Sequence, residues 1–211
     1  MASLLDWETV IRTRRTVRRF TDRPVERFLV EKLIEFATTA PSASNNQPWR
    51  FFVTDSTSVI EAMALAVHQA VDELKARMPS DSLPAFARYG DYFVRFAQAP
   101  VVIVPSYRPL ALLSQMVTPT PLIERLEEVS GLASTSLAVQ NLLLAAHGMQ
   151  LGATCMTGPL LAAPRIEALL GIPNGWRMGM LVALGYAAEE PSTPSRKGLA
   201  TVLKWVERAS E

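Results

Sequence analysis

The chain has 211 residues, with 21 lysines and arginines against 20 aspartates and glutamates, a formal net charge of +1. That balance excludes a nucleic-acid binder held by a broad basic field, and any useful positive charge must be local. With 49% hydrophobic and 19% charged residues the composition is globular and excludes a disordered chain. One cysteine, Cys155, excludes an intramolecular disulfide, and with only His68 and His147 beside it a structural zinc site has too few ligands. Residues 1–8 carry neither a basic n-region nor a long apolar stretch, so no secretory signal is expected and the cytoplasm is the expected compartment.

Asp6 is placed to cap a short helix carrying Trp7, Val10 and Ile11 on one side. A dense basic stretch follows from Arg12 to Phe20, punctuated by Asp22, Arg23 and Pro24. A second helix is predicted from near Val25, with Phe28, Leu29, Leu33, Ile34 and Phe36 at helical spacing, ending before Pro41. Pro41 to Trp49 is a loop by composition and leads into a short strand at Arg50–Thr54. A helix over Ser58–Arg77 has Ile60, Met63, Ala64, Val67, Val71 and Leu74 on one stripe. Residues 84–98 read as helical and aromatic, and Val101–Val104 as a buried strand. Pro105, Pro109, Pro119 and Pro121 make residues 106–125 an irregular segment of the kind that covers binding sites.

Leu126–Met149 reads as a helix that is apolar almost all round. Its length permits a membrane span, but that would bury Ser134, Thr135, Gln140, Asn141 and His147 in lipid. A helix central to a large core or a subunit interface is expected instead. Strands are predicted at Ala153–Met156 and Met178–Gly185, a helix at Pro164–Leu170 ending on Gly171, and a docked tail helix over Leu199–Arg208. There is no internal repeat and no composition boundary, so residues 1–211 form a single domain. Helices and short strands mix without a strict βαβ rhythm, which places the fold in the α+β class.

Four groups of residues carry possible chemistry. Arg14, Arg15, Thr16 and Arg18 have the forked donors and hydroxyl that suit a phosphate, or they are a solvated basic helix end. Ser42, Ser44, Asn45, Asn46 and Gln47 crowd hydroxyls and amides into one loop, able to read the edge of a heterocycle or only to satisfy their own turn. Thr157-Gly158-Pro159 follows a strand, where glycine admits a close-lying ligand or merely ends the strand. Arg196-Lys197 in a Pro/Ser-rich stretch is either a second cationic piece or surface. Neither a GxGxxG after a strand, nor GxxxxGK[ST], nor GxSxG is present, so Rossmann, P-loop and serine-hydrolase readings lack support. Cys155 reads as a small buried hydrophobe and His147 as a satisfied core histidine rather than as catalysts.

In order and spacing these pieces resemble the FMN-binding nitroreductase family. Arg14-Arg15-Thr16-Val17-Arg18-Arg19-Phe20 is similar to that family's RRSxRxF signature, with Thr16 for the usual serine. Ala40 through Trp49 is similar to its APSxxNxQPW loop, and the likeness continues through Thr157-Gly158, Leu184-Gly185-Tyr186 and Arg196-Lys197. The resemblance implies a sandwich with a mostly antiparallel central sheet flanked by helices, formed as an intertwined homodimer with FMN in the interface. It implies that Arg14, Arg15, Thr16, Arg18 and Arg196 hold the phosphate. Pro41, Ser42, Ala43, Asn45 and Gln47 would come from across the interface. Thr157 and Gly158 would meet flavin N5, with Met156 near the ring face. It further implies NADPH or NADH as donor, a small electron-poor acceptor such as a nitroaromatic or quinone, and no catalytic side chain, metal, nucleic acid or membrane. Rival readings are a flavin-fragmenting or reductive-dehalogenase member of the same fold, a non-catalytic flavin binder, and a simple anion-docking patch. Tyr89, Phe93 and residues 106–125 are candidates for substrate contact or for packing.

Overall fold

In the computed structural model, residues 6–206 are described, apart from the side chains of residues 87–89. Helix α1 (Trp7–Thr13) starts as its cap dictates, with the Asp6 carboxylate accepting the Thr9 N–H at 3.0 Å. Then come α2 (Arg27–Thr38), a 3-10 turn at Ala43–Asn45, β1 (Trp49–Thr54) and α3 (Thr57–Lys75). Next are α4 (Leu83–Gly90), a 3-10 segment at Asp91–Gln98, β2 (Val101–Tyr107) and the long α5 (Pro121–Gly148). The chain continues with β3 (Gly152–Met156), a 3-10 turn at Gly158–Ala162, α6 (Ala163–Leu170), β4 (Arg177–Met178), β5 (Leu181–Gly185) and α7 (Leu199–Val202).

The sheet is antiparallel in the order β1-β2-β5-β3, with β4 also on β2. Its central strands are buried on both faces, so alternate residues enter two separate cores. Val101, Ile103, Val182 and Leu184 face α2 and α5, which supply Leu33, Ala37, Ala138, Leu142 and Ala146. Val102, Val104, Leu181 and Ala183 face α3, the 3-10 segment and α6, which supply Met63, Val67, Phe96 and Ile166. The α+β sandwich expected from the sequence is therefore the observed architecture.

Several boundaries differ for identifiable reasons. The strand predicted over Met178–Gly185 is two strands. β2 pairs β5 as far as Ile103↔Val182 and resumes with β4 at Ser106↔Met178, so three residues oppose two. Pro105, which has no N–H, sits in this bulge, and its carbonyl accepts the Gly179 N–H at 2.9 Å. For the same reason β2 runs on to Tyr107 instead of stopping at Val104. Phe28 and Phe36, predicted for the buried stripe of α2, are exposed; Val30, Leu33 and Ala37 are the buried residues.

α5 begins at Pro121, behind a Thr120 cap, which shortens the irregular segment to 108–120. It is one helix of the described residues long and apolar enough to cross a bilayer by length and composition, but its inner face is committed to the sheet. The tail does not dock: α7 is four residues long and exposed, and the predicted extension to Arg208 lies partly outside the described residues. The side chain of Tyr89 also lies outside them.

Candidate functional site

After α1 the backbone straightens at Arg14 and lies along the outer edge of β3. Thr16 bridges Ala153 in parallel, and the Val17 N–H donates to the Ala153 carbonyl at 3.1 Å. Farther on, Phe20 bridges Ala187 and the Ala188 N–H donates to the Arg19 carbonyl at 2.9 Å. The Glu189 carboxylate locks this crossing by accepting the backbone N–H groups of Arg18 and Arg19 at 2.7 and 3.1 Å. Those bonds, the Arg18 one foremost, hold its pKa below the ordinary carboxylate value. Sequence reasoning missed Glu189; the only signal was an acid beside an otherwise Pro/Ser-rich stretch.

This crossing brings Arg14, Arg15, Thr16, Arg18 and Arg196 around one cleft of about 570 Å³, with Glu189 and Glu190 on its rim. Arg14 is the most constrained cation. Burial first, then the charges of Arg196 and Arg15, lower its pKa from the ordinary arginine value. Guanidinium groups converging in a partly desolvated cleft make a ready oxyanion site. Arg15 is differently employed: its guanidinium donates to the Arg12 and Arg14 carbonyls at 2.8 and 2.9 Å and to Thr193 Oγ1 at 3.2 Å. It thus ties the 190s segment to the end of α1. His147, at the end of α5, buttresses the same corner. The Thr13 hydroxyl donates to the Thr9 carbonyl, so at 2.8 Å it must accept from His147 Nε2. Burial, followed by Arg14 and Arg15, lowers the His147 pKa, so the ring is neutral at pH 7.

Where β3 ends, Met156, Thr157 and Gly158 line a smaller cleft of about 230 Å³ together with Arg18, Tyr92 and Phe93. Arg18 lines both clefts and marks where they meet. Gly158 has no substitute here, because a Cβ would stand 2.2 Å from the Phe93 ring. It opens a 3-10 turn, so its N–H has no acceptor within that turn. Phe93 is therefore a wall behind this turn, in T-shaped contact with Phe86. Cys155 is an exposed residue near the end of β3 rather than the buried one expected, although it shares a face with buried Ala153. Its sulfur lies 3.3 Å from Met180 Sδ, and local desolvation pushes the thiol pKa above the ordinary cysteine value.

The loop before β1 is built but lies elsewhere. Ser44, Asn45 and Gln47 have φ of 52°, 51° and 49°, a left-handed conformation unusual for residues with a Cβ. Ser42 Oγ accepts the Gln47 N–H at 3.0 Å, and Ser134 Oγ on α5 accepts the Ala43 N–H at 3.2 Å. Pro41, Ala43, Asn45 and Gln47 are nonetheless exposed. β1 and β3 are the two edges of the sheet, with β2 and β5 between them. Three strand spacings of about 4.8 Å separate them by roughly 14 Å. One chain thus gathers Arg14–Arg18, Met156–Gly158 and Arg196 at one edge and Pro41–Gln47 at the other.

The sequence profile of the Nitroreductase family matches residues 11–186. A Thermus thermophilus protein described as an NADH dehydrogenase is 30% identical over 215 residues, covering 96% of this chain and 97% of that one. A Caenorhabditis elegans iodotyrosine dehalogenase 1 homolog is 28% identical over 192 residues, 89% of this chain and 56% of that longer one. A Desulfovibrio desulfuricans protein described as a nitroreductase, solved in complex with FMN, superposes with a TM-score of 0.68 at 28% identity, covering 94% of this chain and 95% of that one. The match begins within α1 and ends just past β5, so it takes in the basic crossing, the loop before β1, both cores and the turn after β3. The chain belongs to the nitroreductase family and shares its oxidoreductase scaffold.

Proposed function

We propose that this protein is an FMN-dependent oxidoreductase that moves hydride from NADPH or NADH to a small electron-poor acceptor such as a nitroaromatic or a quinone. The observation that carries the reading is the continuous track from Arg14, Thr16, Arg18 and Arg196 to the Thr157-Gly158 turn. A dianionic phosphate and a flat heterocycle need cations at one end and close, donating backbone at the other. Bound FMN would supply the redox chemistry, accepting and giving hydride at N5. Arg14, Arg18 and Arg196 hold the phosphate, Thr16 adds a hydroxyl, and Arg15 keeps the 190s segment closed over it. The Thr157 or Gly158 N–H would be the donor offered to the bound ring, and half-buried Met156 would flank it. This scheme requires no side-chain acid or base, and donor and acceptor would use the site in turn, in ping-pong order.

The same reading requires a homodimer. Pro41, Ser42, Ala43, Asn45 and Gln47 cannot reach the Arg14 cleft of their own chain, and a second copy supplies them. Leu122, Leu126, Val129 and Leu137 form an exposed apolar stripe on α5 suited to that contact.

The freshly purified protein is expected to show flavin absorption bands that bleach when NADPH or NADH is added without oxygen. A colourless protein that also refuses added FMN overturns the reading. Replacing Arg14 and Arg18 together by Ala is expected to release the flavin with an unchanged far-UV circular dichroism spectrum, whereas full retention refutes the phosphate assignment. The likeness to the nematode protein favours reductive dehalogenation as a second reading. Halide release from an iodinated phenol, measured beside nitro reduction, separates the two.

A further inference from the structure

Beyond the end of β2, between the loop before β1 and the start of β4, a cleft of about 500 Å³ is lined by Asn46, Arg108, Leu112, Gln115, Gly175 and Arg177 among others. It adjoins the loop before β1, because Asn46 lies in that loop and the Arg108 N–H donates to the Pro48 carbonyl at 2.9 Å. Its walls are fixed by two consecutive residues of α5. Glu127 accepts the Leu113 and Ser114 N–H groups at 2.7 and 3.1 Å and so pins the segment that carries Leu112 and Gln115. Glu128 pairs with Arg177 and accepts the Tyr107 hydroxyl at 3.1 Å. Gly131, one turn on, lets α5 come down on the Arg108 carbonyl, which a Cβ would meet at 2.5 Å.

The charge in this cleft is not balanced. Among the described residues, Arg177 has a carboxylate partner, but neither Arg108 nor neighbouring Arg50 does. Both lie near the Trp176 ring, at 5.6 and 4.4 Å from its centroid, so one aromatic ring holds two like charges together, of which Arg108 lines the cleft. Arg108, the free donors of Arg177 and the amides of Asn46 and Gln115 are the groups that bind a carboxylate or phosphate. No phosphate of the cofactor is needed here, since the Arg14 cleft at the β3 edge takes it.

We propose that this cleft binds an oxyanion carried by the substrate, with Arg108 as its specificity-determining residue. In the dimer of the proposed function the loop before β1 meets the cofactor, which places the anion site at the entrance to the reacting face; the location rests on that reading. The oxyanion is a phosphate of the nicotinamide donor or a carboxylate of the acceptor, and kinetics distinguish them.

The test compares the flavin-loaded protein with Arg108→Met, which keeps the stem and removes the charge, and with Arg108→Lys, which restores a point charge. By calorimetry, 4-nitrobenzoate is expected to bind the wild type roughly tenfold or more tightly than uncharged nitrobenzene. That preference vanishes in Arg108→Met and returns in part in Arg108→Lys. In turnover, a KM raised roughly tenfold for 4-nitrobenzoate alone assigns the anion to the acceptor. The same rise for NADPH with a neutral acceptor assigns it to the donor, and NADPH calorimetry should then show it directly. Binding and KM values unchanged in Arg108→Met for every ligand overturn the proposal. Arg108-dependent binding without turnover for any donor and acceptor pair refutes the oxidoreductase reading and leaves the anion site standing.

Discussion

Thr135 is fully buried in α5, and its hydroxyl has no hydrogen-bond partner among the described residues. A buried, unpaired hydroxyl costs about 1–3 kcal/mol, and valine has nearly the same shape without it. Thr135→Val is therefore expected to stabilise the fold by about 1 kcal/mol, raising Tm by about 2–4 °C in a thermal melt. An unchanged or lower Tm would show that the hydroxyl is satisfied in solution. Residue identity alone did not reveal roles at this scale. Arg14 and Arg15 are chemically the same and adjacent, yet Arg14 lines the cleft with no ion pair among the described residues while Arg15 also donates to backbone carbonyls. The motif named both for one task. The direction of a side chain from an extended backbone, which no composition records, separates them.

Among elements, the start of α5 and the 108–120 segment form one unit. Burial of Glu127 opposes its ionisation, but the backbone N–H groups of Ser114 and Leu113 outweigh it, and the net pKa is lowered. The sign follows from that direction. A carboxylate with a folded pKa below its unfolded value contributes its full stability above the unfolded value. That contribution is lost as pH falls through the folded value. Hydrogen-exchange protection of the Leu113 and Ser114 amides is therefore expected to hold at neutral pH. It should collapse below the ordinary carboxylate range while the sheet amides stay protected. Glu127→Gln should show weak protection at both pH values; equal protection in variant and wild type would refute the anchor. The sequence marked this segment as irregular from its prolines, correctly for 108–120. It did not reveal the anchor, because a glutamate and two amides some fourteen residues apart meet only once α5 is docked.

At the scale of the molecule, the exposed apolar surface asks for a partner. Leu122 and Trp205 are 76% and 80% exposed, and Leu126, Val129, Leu199 and Val202 are exposed with them. Such a set is the surface that the proposed homodimer would cover. Leu126→Asp with Val129→Asp is expected to convert a dimer at twice the chain mass into a monomer, read by light scattering on a sizing column. It should lose flavin at the same time, since the loop before β1 then reaches no second site. A monomeric wild type, or a double variant that keeps both mass and flavin, would refute the shared site.

By itself the sequence determined what near neighbours along the chain decide. The Asp6 cap, the buried apolar run at Val101–Val104, the Gly171 stop and the two signature segments all act within a few residues, so their physics is legible in order. Only the tertiary structure decided which pieces share a place. It put Arg14–Arg18, Met156–Gly158 and Arg196 at one edge of the sheet and Pro41–Gln47 at the other. It carried β2 through Pro105 on a bulge, left Phe28, Phe36 and the tail in the open, and drew Arg108 and Arg177 into one cleft. Strand order and helix docking are long-range choices made by the burial of two cores at once. No local pattern encodes which edge a segment reaches.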